Sequence, residues 1–259
     1  MTVFEIREAL ALGGIDNAWG EARLLNDYFS GEELKRAIER RLSHEPLQYI
    51  LGEWGFYREM YEVGPACLVP RSDTECLVEE AVKRLCRGAR FLDLCTGSGC
   101  IAVSTLRNTQ DTCAVAVDLF EETLSLAARN AARDEVFDRV TFLRADVLAS
   151  PPDDACFSTP FDAIFSNPPY IRDAVVDTLS AEVRHEPRAA LAGGEDGMCF
   201  YRAILEKWSR LLRPGGLMLL EIGYDQREEI TALADAHGFR AEVLRDLGGN
   251  DRVAVLHRS

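Results

Sequence analysis

From Phe91 onward the chain alternates short apolar runs with stretches of helical spacing, and that alternation restricts the fold more than any other feature. Residues 91–94, 113–117, 140–143, 161–165 and 217–222 read as buried strands. Helical spacing starts near Cys100 and recurs over 121–133, 200–212 and 226–237, with two closing strands near 239–245 and 252–257. A long loop fills 167–197. Strands that alternate with helices predict an α/β fold, a doubly wound, Rossmann-like and mainly parallel sheet that binds ligands at the carboxyl ends of its strands.

The chain before this region reads differently. Residues 1–45 show only helical spacing, as in Phe4, Ile6, Ala9 and Leu10, then Ala22, Leu24, Leu25 and Tyr28, and form a small N-terminal helical domain. Ser30 with Glu33 fits a capping box that opens a third helix, and Ser72 with Glu75 fits another that opens a helix to about Leu85. Between them, Pro46, Gly52, Gly55, Gly64, Pro65 and Pro70 punctuate 46–71, which predicts a β-hairpin or extended linker. The expected division is therefore 1–45, 46–71 and a sheet domain over 72–259.

Composition closes off several functions. With 29 Lys and Arg against 43 Asp and Glu the net charge is -14, so tight binding to a phosphate backbone is not expected. No apolar run approaches the ~18 residues of a membrane span. Glu5, Arg7 and Glu8 interrupt the first apolar pattern where a signal peptide would not be interrupted. The eight cysteines lack CxxC spacing and His44, His185, His237 and His257 lie far apart, which argues for reduced, packed thiols in a cytoplasmic protein rather than a metal or disulfide framework.

The chemistry concentrates at two strand ends. The first strand runs into Asp93, Cys95, Thr96, Gly97, Ser98 and Gly99, a strand-to-helix turn whose glycines let backbone N–H groups approach a ligand. The second ends at Asp118, 21 residues beyond Gly97, followed by Leu119; a carboxylate there accepts from both hydroxyls of a ribose. Asp146 and Val147 follow the third strand, where the carboxylate meets an adenine amino group. These features alone suit a nicotinamide dinucleotide as well as S-adenosylmethionine. After the fourth strand comes Asn167-Pro168-Pro169-Tyr170. Consecutive prolines make a stiff extended segment, and a planar NH2 group could donate to the Asn167 side-chain oxygen and the Pro168 carbonyl while Tyr170 packs on its plane. Two such acceptors orient a poorly nucleophilic amide nitrogen toward an incoming methyl group.

In that position Asn-Pro-Pro-Tyr resembles the mark of S-adenosylmethionine-dependent methyltransferases of planar nitrogen. Further segments resemble the HemK/PrmC family, the protein-(glutamine) methyltransferases of peptide chain release factors: Glu45 to Gly52, Leu68 to Glu75, Glu186-Pro187 with Gly193-Gly194, and Asp246 to Arg252. The resemblance runs from about residue 40 to the end. It implies S-adenosyl-L-methionine as methyl donor, S-adenosyl-L-homocysteine as product, no metal, and cofactor contacts from Asp93, Cys95 to Gly99, Asp118, Leu119, Asp146, Val147 and Asn167. It implies catalysis and glutamine binding by Asn167, Pro168, Pro169 and Tyr170, with Arg71 and Glu186 near the substrate. The partner it implies is a class 1 release factor, docked by the helical domain of a monomeric enzyme. Cys95 replaces a glycine common in the family, Ser72 replaces a proline, and the N-terminal helices are shorter than usual.

Rival readings remain open on sequence alone. A sister enzyme could methylate a glutamine of a ribosomal protein. A DNA adenine methyltransferase shares the tetrapeptide but would want a basic groove. A nicotinamide oxidoreductase would need a catalytic side chain at the switch point, yet Lys35, Lys83 and Lys207 all lie away from strand ends. An inactive cofactor-binding module would not need an intact Asn167 to Tyr170.

Overall fold

A computed structural model describes residues 1–258, and in it the alternation after Arg90 becomes one seven-stranded sheet. Its strands are β3 (Arg90–Leu94), β4 (Cys113–Asp118), β5 (Val140–Arg144), β6 (Phe161–Ser166), β7 (Leu212–Glu221), β8 (Phe239–Arg245) and β9 (Asp251–Arg258). They lie in the order β5-β4-β3-β6-β7-β9-β8. The first five are mutually parallel, while β9 runs antiparallel to both β7 and β8. Branched and aromatic residues buried on both faces make these strands near-continuous apolar runs, as parallel strands covered on two sides require. Phe91 and Phe165 meet on one face at a ring separation of 5.1 Å, and Leu92, Ile164, Tyr201 and Trp208 fill the other.

The helices of the sheet region are α5 (Glu75–Arg84), α6 (Cys100–Arg107), α7 (Glu121–Arg133), the short α8 (Asp173–Val176), α9 (Cys199–Ala203) and α10 (Arg227–Ala236). The helix expected over 200–212 is shorter. After α9 it widens over Ile204–Trp208, tightens over Ser209–Leu211, and gives way to β7 at Leu212. Trp208, at the junction of these two turns, is fully buried, and its indole nitrogen donates to the Val147 carbonyl at 2.9 Å.

Ahead of the sheet, α1 (Val3–Leu12), α2 (Ala18–Tyr28), α3 (Gly31–Leu42) and α4 (Leu47–Leu51) surround an apolar cluster of their own that includes Ile6, Leu10, Leu25, Ile38, Leu47 and Ile50. The hairpin of β1 (Glu53–Phe56) and β2 (Glu59–Glu62) follows, so the region expected to be hairpin or linker begins with a helical turn. Neither expected capping box forms. Gly31 opens α3 with a φ of 58°, which turns its first amides away from the Ser30 hydroxyl. Ser72–Thr74 makes a tight turn and α5 starts only at Glu75, whose carboxylate instead accepts from the Tyr57 amide at 2.9 Å. A capping box does close the start of α1, between Thr2 and Glu5. Among the described residues no helix is long and apolar enough to cross a membrane.

Candidate active site

The strand order reverses between β3 and β6, which is the switch point where open α/β sheets leave a crevice at their carboxyl ends. Leu94 pairs with Ser166 across that boundary, so Cys95 and Asn167 leave neighbouring strands side by side. Above them opens a cavity of about 430 Å³, within the range of small-molecule sites.

The floor comes from the turn after β3. Cys95, Gly97 and Gly99 all take left-handed backbone conformations, with φ of 59°, 56° and 81°. A side chain on Gly99 would also stand 3.1 Å from the Ala127 side chain of α7, so glycine lets helix and loop approach. Thr96, Gly97 and Ser98 line the cavity, as does Cys95, whose thiol burial and the nearby Asp118 and Asp93 push up and keep protonated. Asp93 is fully buried behind this loop: one carboxylate oxygen accepts from the Thr96 hydroxyl at 2.6 Å and the other has no partner. Burial pushes its pKa up to about 7.

At the end of β4, Asp118 accepts from the Gly97 amide at 3.0 Å and the Phe120 amide at 3.2 Å, and burial raises its carboxyl above the ordinary range. It lines the cavity with Leu119, Asp146 and Val147. Asp146 accepts from the Leu148 amide at 2.8 Å.

The opposite wall carries Asn167 and Pro169. The Asn167 amide nitrogen donates to the Thr74 hydroxyl at 3.1 Å, which leaves its oxygen free to accept. Pro168 and Tyr170 stand outside the lining. The Tyr170 hydroxyl donates to Glu221 at 3.3 Å, and its carbonyl accepts from Gln226 at 3.1 Å. The loop after Tyr170 folds back, with Gly193 donating to the Ile171 carbonyl at 2.8 Å. Only glycine fits there, since a Cβ on Gly193 would meet the Pro169 carbonyl at 2.7 Å. Arg71 lies on the cavity rim and is ion-paired to Glu186, which sits buried behind it and accepts from the Val69 amide at 2.9 Å.

Asp93, Gly99, Pro168, Tyr170 and Glu186 therefore stand one layer behind the lining that the other expected residues share. Three supports had not been singled out for these parts. Thr74 aligns Asn167, Glu221 receives Tyr170, and buried Asn130 of α7 ties the hairpin to the glycine loop by donating to the Glu62 and Ser98 carbonyls at 3.0 and 2.9 Å. Glu221 had a visible signal, a lone acid at the end of Leu217-Met218-Leu219-Leu220.

Comparison with known proteins gives a consistent family. A family model described as "Methyltransferase small domain" matches residues 72–199. The release factor glutamine methyltransferase of Thermodesulfovibrio yellowstonii is 40% identical over 87% of this chain and 81% of its own length. The enzyme of the same name from Moorella thermoacetica is 42% identical over 86% of this chain and 78% of its own. Among solved structures, a methyltransferase from Pyrococcus furiosus shares the fold at a TM-score of 0.57 and 20% identity, over 77% of this chain and 88% of that one.

Proposed function

Because the chain belongs to the release factor glutamine methyltransferase family, a group of S-adenosyl-L-methionine-dependent enzymes, we propose that it methylates the side-chain amide of the glutamine in the Gly-Gly-Gln motif of class 1 release factors. One observation carries the site: the glycine turn after β3 and the Asn167 amide line the same cavity at the switch point.

The side chains there suit the cofactor. Asp93 keeps a buried oxygen without a partner, and Asp118 and Asp146 bring further acceptors to the cavity. An ammonium, a ribose diol and an adenine amino group are the donors such a set matches. Thr96 to Gly99 would cradle the amino-acid end, Asp118 with Leu119 would hold the ribose, and Asp146 with Val147 would hold the adenine. When bound, S-adenosyl-L-methionine supplies an electrophilic methyl carbon.

Asn167 and the Pro168 carbonyl would accept from the glutamine NH2 and favour positive charge on its nitrogen as its lone pair takes the methyl carbon and the carbon–sulfur bond breaks, leaving S-adenosyl-L-homocysteine. Pro169 stiffens the segment, and Tyr170 anchors it through Glu221 and Gln226. Arg71, held by Glu186, meets the polypeptide at the rim. No histidine adjoins Asn167 to Tyr170, and the proton leaves after the transfer. The helices before the sheet dock the protein substrate, and the enzyme works as a cytoplasmic monomer that needs no nucleic acid, in line with its net charge of -14.

The test is transfer of labelled methyl to purified class 1 release factor, beside a copy whose Gly-Gly-Gln glutamine is alanine. Label on the first alone is expected. Label on both, or on ribosomal proteins and not on the factor, would overturn the proposed acceptor.

A further inference from the structure

Glu221 ends β7 with its side chain on the sheet face under α5, and it is 1% exposed. A carboxyl group buried this deeply is costly unless its neighbours direct hydrogens at it. The Tyr170 hydroxyl donates to one of its oxygens at 3.3 Å, and the Tyr201 hydroxyl donates to its backbone carbonyl at 2.8 Å. Its other carboxylate oxygen has no full hydrogen bond, but the hydroxyl of buried Thr74 stands beside the group and favours its charged form. That hydroxyl already accepts from Asn167 at 3.1 Å, so its single hydrogen is free to point at Glu221.

Two donations are in place, Asn167 amide nitrogen to Thr74 hydroxyl and Tyr170 hydroxyl to Glu221, and the Thr74 hydrogen turned toward the unpartnered Glu221 oxygen would join them into one chain. We propose that Glu221 is a positioning residue for methyl transfer: as the terminal acceptor of this chain it fixes which end of the Asn167 amide faces the cavity. The inference rests on the glutamine-methyltransferase reading above. An ionised Glu221 can only accept. Thr74 then spends its hydrogen on it, Asn167 must donate to Thr74, and the Asn167 oxygen is left to receive the substrate NH2. A protonated Glu221 supplies a hydrogen of its own. Thr74 can then donate to Asn167, whose amide turns over and presents NH2 to NH2, a repulsive pair.

The surroundings decide when each state is populated. Around Glu221 stand Tyr170 from the loop after β6, Tyr201 from α9, Thr74 and Asp73 before α5, Cys76 of α5, Cys100 of α6 and Arg252 from β9. Arg252 shares its charge with Asp246 and Asp73, at 3.2 Å from each, and so only partly offsets burial. Burial prevails and pushes Glu221 up to about 7, against an ordinary value of 4.5. The active, charged form is therefore lost as pH falls through neutrality.

The test compares wild type with Glu221→Gln, Thr74→Val and Thr74→Ser in methyl transfer to the release factor, with kcat and KM followed against pH. For wild type, kcat should fall below about pH 7. Glu221→Gln nearly preserves shape and should lower kcat about ten- to a hundredfold, abolish that acid limb, and leave cofactor affinity within twofold. Thr74→Val should lose kcat similarly, and Thr74→Ser should restore it. A Glu221→Gln enzyme with wild-type kcat, or one lowered equally at every pH with the acid limb intact, would overturn the proposal. So would an active Thr74→Val. If wild type leaves the factor unlabelled, the methyl acceptor itself was misread, and the positioning role falls with it.

Discussion

Cys95 holds a left-handed backbone at the point where β3 gives way to the glycine turn, a conformation that costs a residue with a side chain about 1 kcal/mol. That strain explains why glycine suits the position. Cys95→Gly should change unfolding free energy by less than about 1 kcal/mol and keep cofactor affinity, whereas branched Cys95→Val should lose about 1–2 kcal/mol in denaturant unfolding. On the proposed roles, two other side chains separate binding from chemistry. Asp118→Ala should weaken cofactor binding by about 1–3 kcal/mol in calorimetry, because ribose hydroxyls and the Gly97 amide lose their acceptor. Asn167→Ala should abolish transfer while leaving cofactor affinity within a few-fold.

At the scale of elements, the site is a set of strand ends braced by segments distant in sequence. The loop after Tyr170 is the tightest of these braces. Gly193→Ala forces a methyl group against the Pro169 carbonyl, 2.7 Å away, and should push the Asn167 segment out of line. Steady-state assays should then show a loss of kcat larger than any change in cofactor affinity. The glycine turn, Asp118, Asp146 and Asn167 were legible in the sequence because each sits directly beside a strand whose apolar pattern marks its end. Asn130, and the roles of Thr74 and Glu221, were not. Thr74 meets Asn167 across 93 residues and Asn130 meets the Glu62 amide across 68, so their partners are chosen by packing rather than by local pattern. Ser30 and Ser72 show the reverse case. Each fits the capping spacing, yet a left-handed Gly31 and a tight turn at Ser72–Thr74 decide the geometry instead.

Over the whole molecule, the N-terminal helices and the loop that follows the Asn167 segment are tied together. Arg41 of α3, 2% exposed, pairs with Glu21 of α2 at 2.5 Å and with Glu182 of the loop at 2.7 Å. His185 of the same loop meets the Ser43 carbonyl at 2.9 Å. Removing one partner of a buried ion pair strands the others, so Arg41→Ala should cost about 3 kcal/mol in denaturant unfolding. Methyl transfer should fall as well, although Arg41 is remote from the cavity lining. The same tie bears on how such enzymes can diversify. The helical end cannot be exchanged for a relative's like a handle, because Glu182 and His185 are cut to fit it. A chimera that carries new helices should work only when it inherits the matching loop, which makes the two segments, far apart in the gene, a single unit of inheritance.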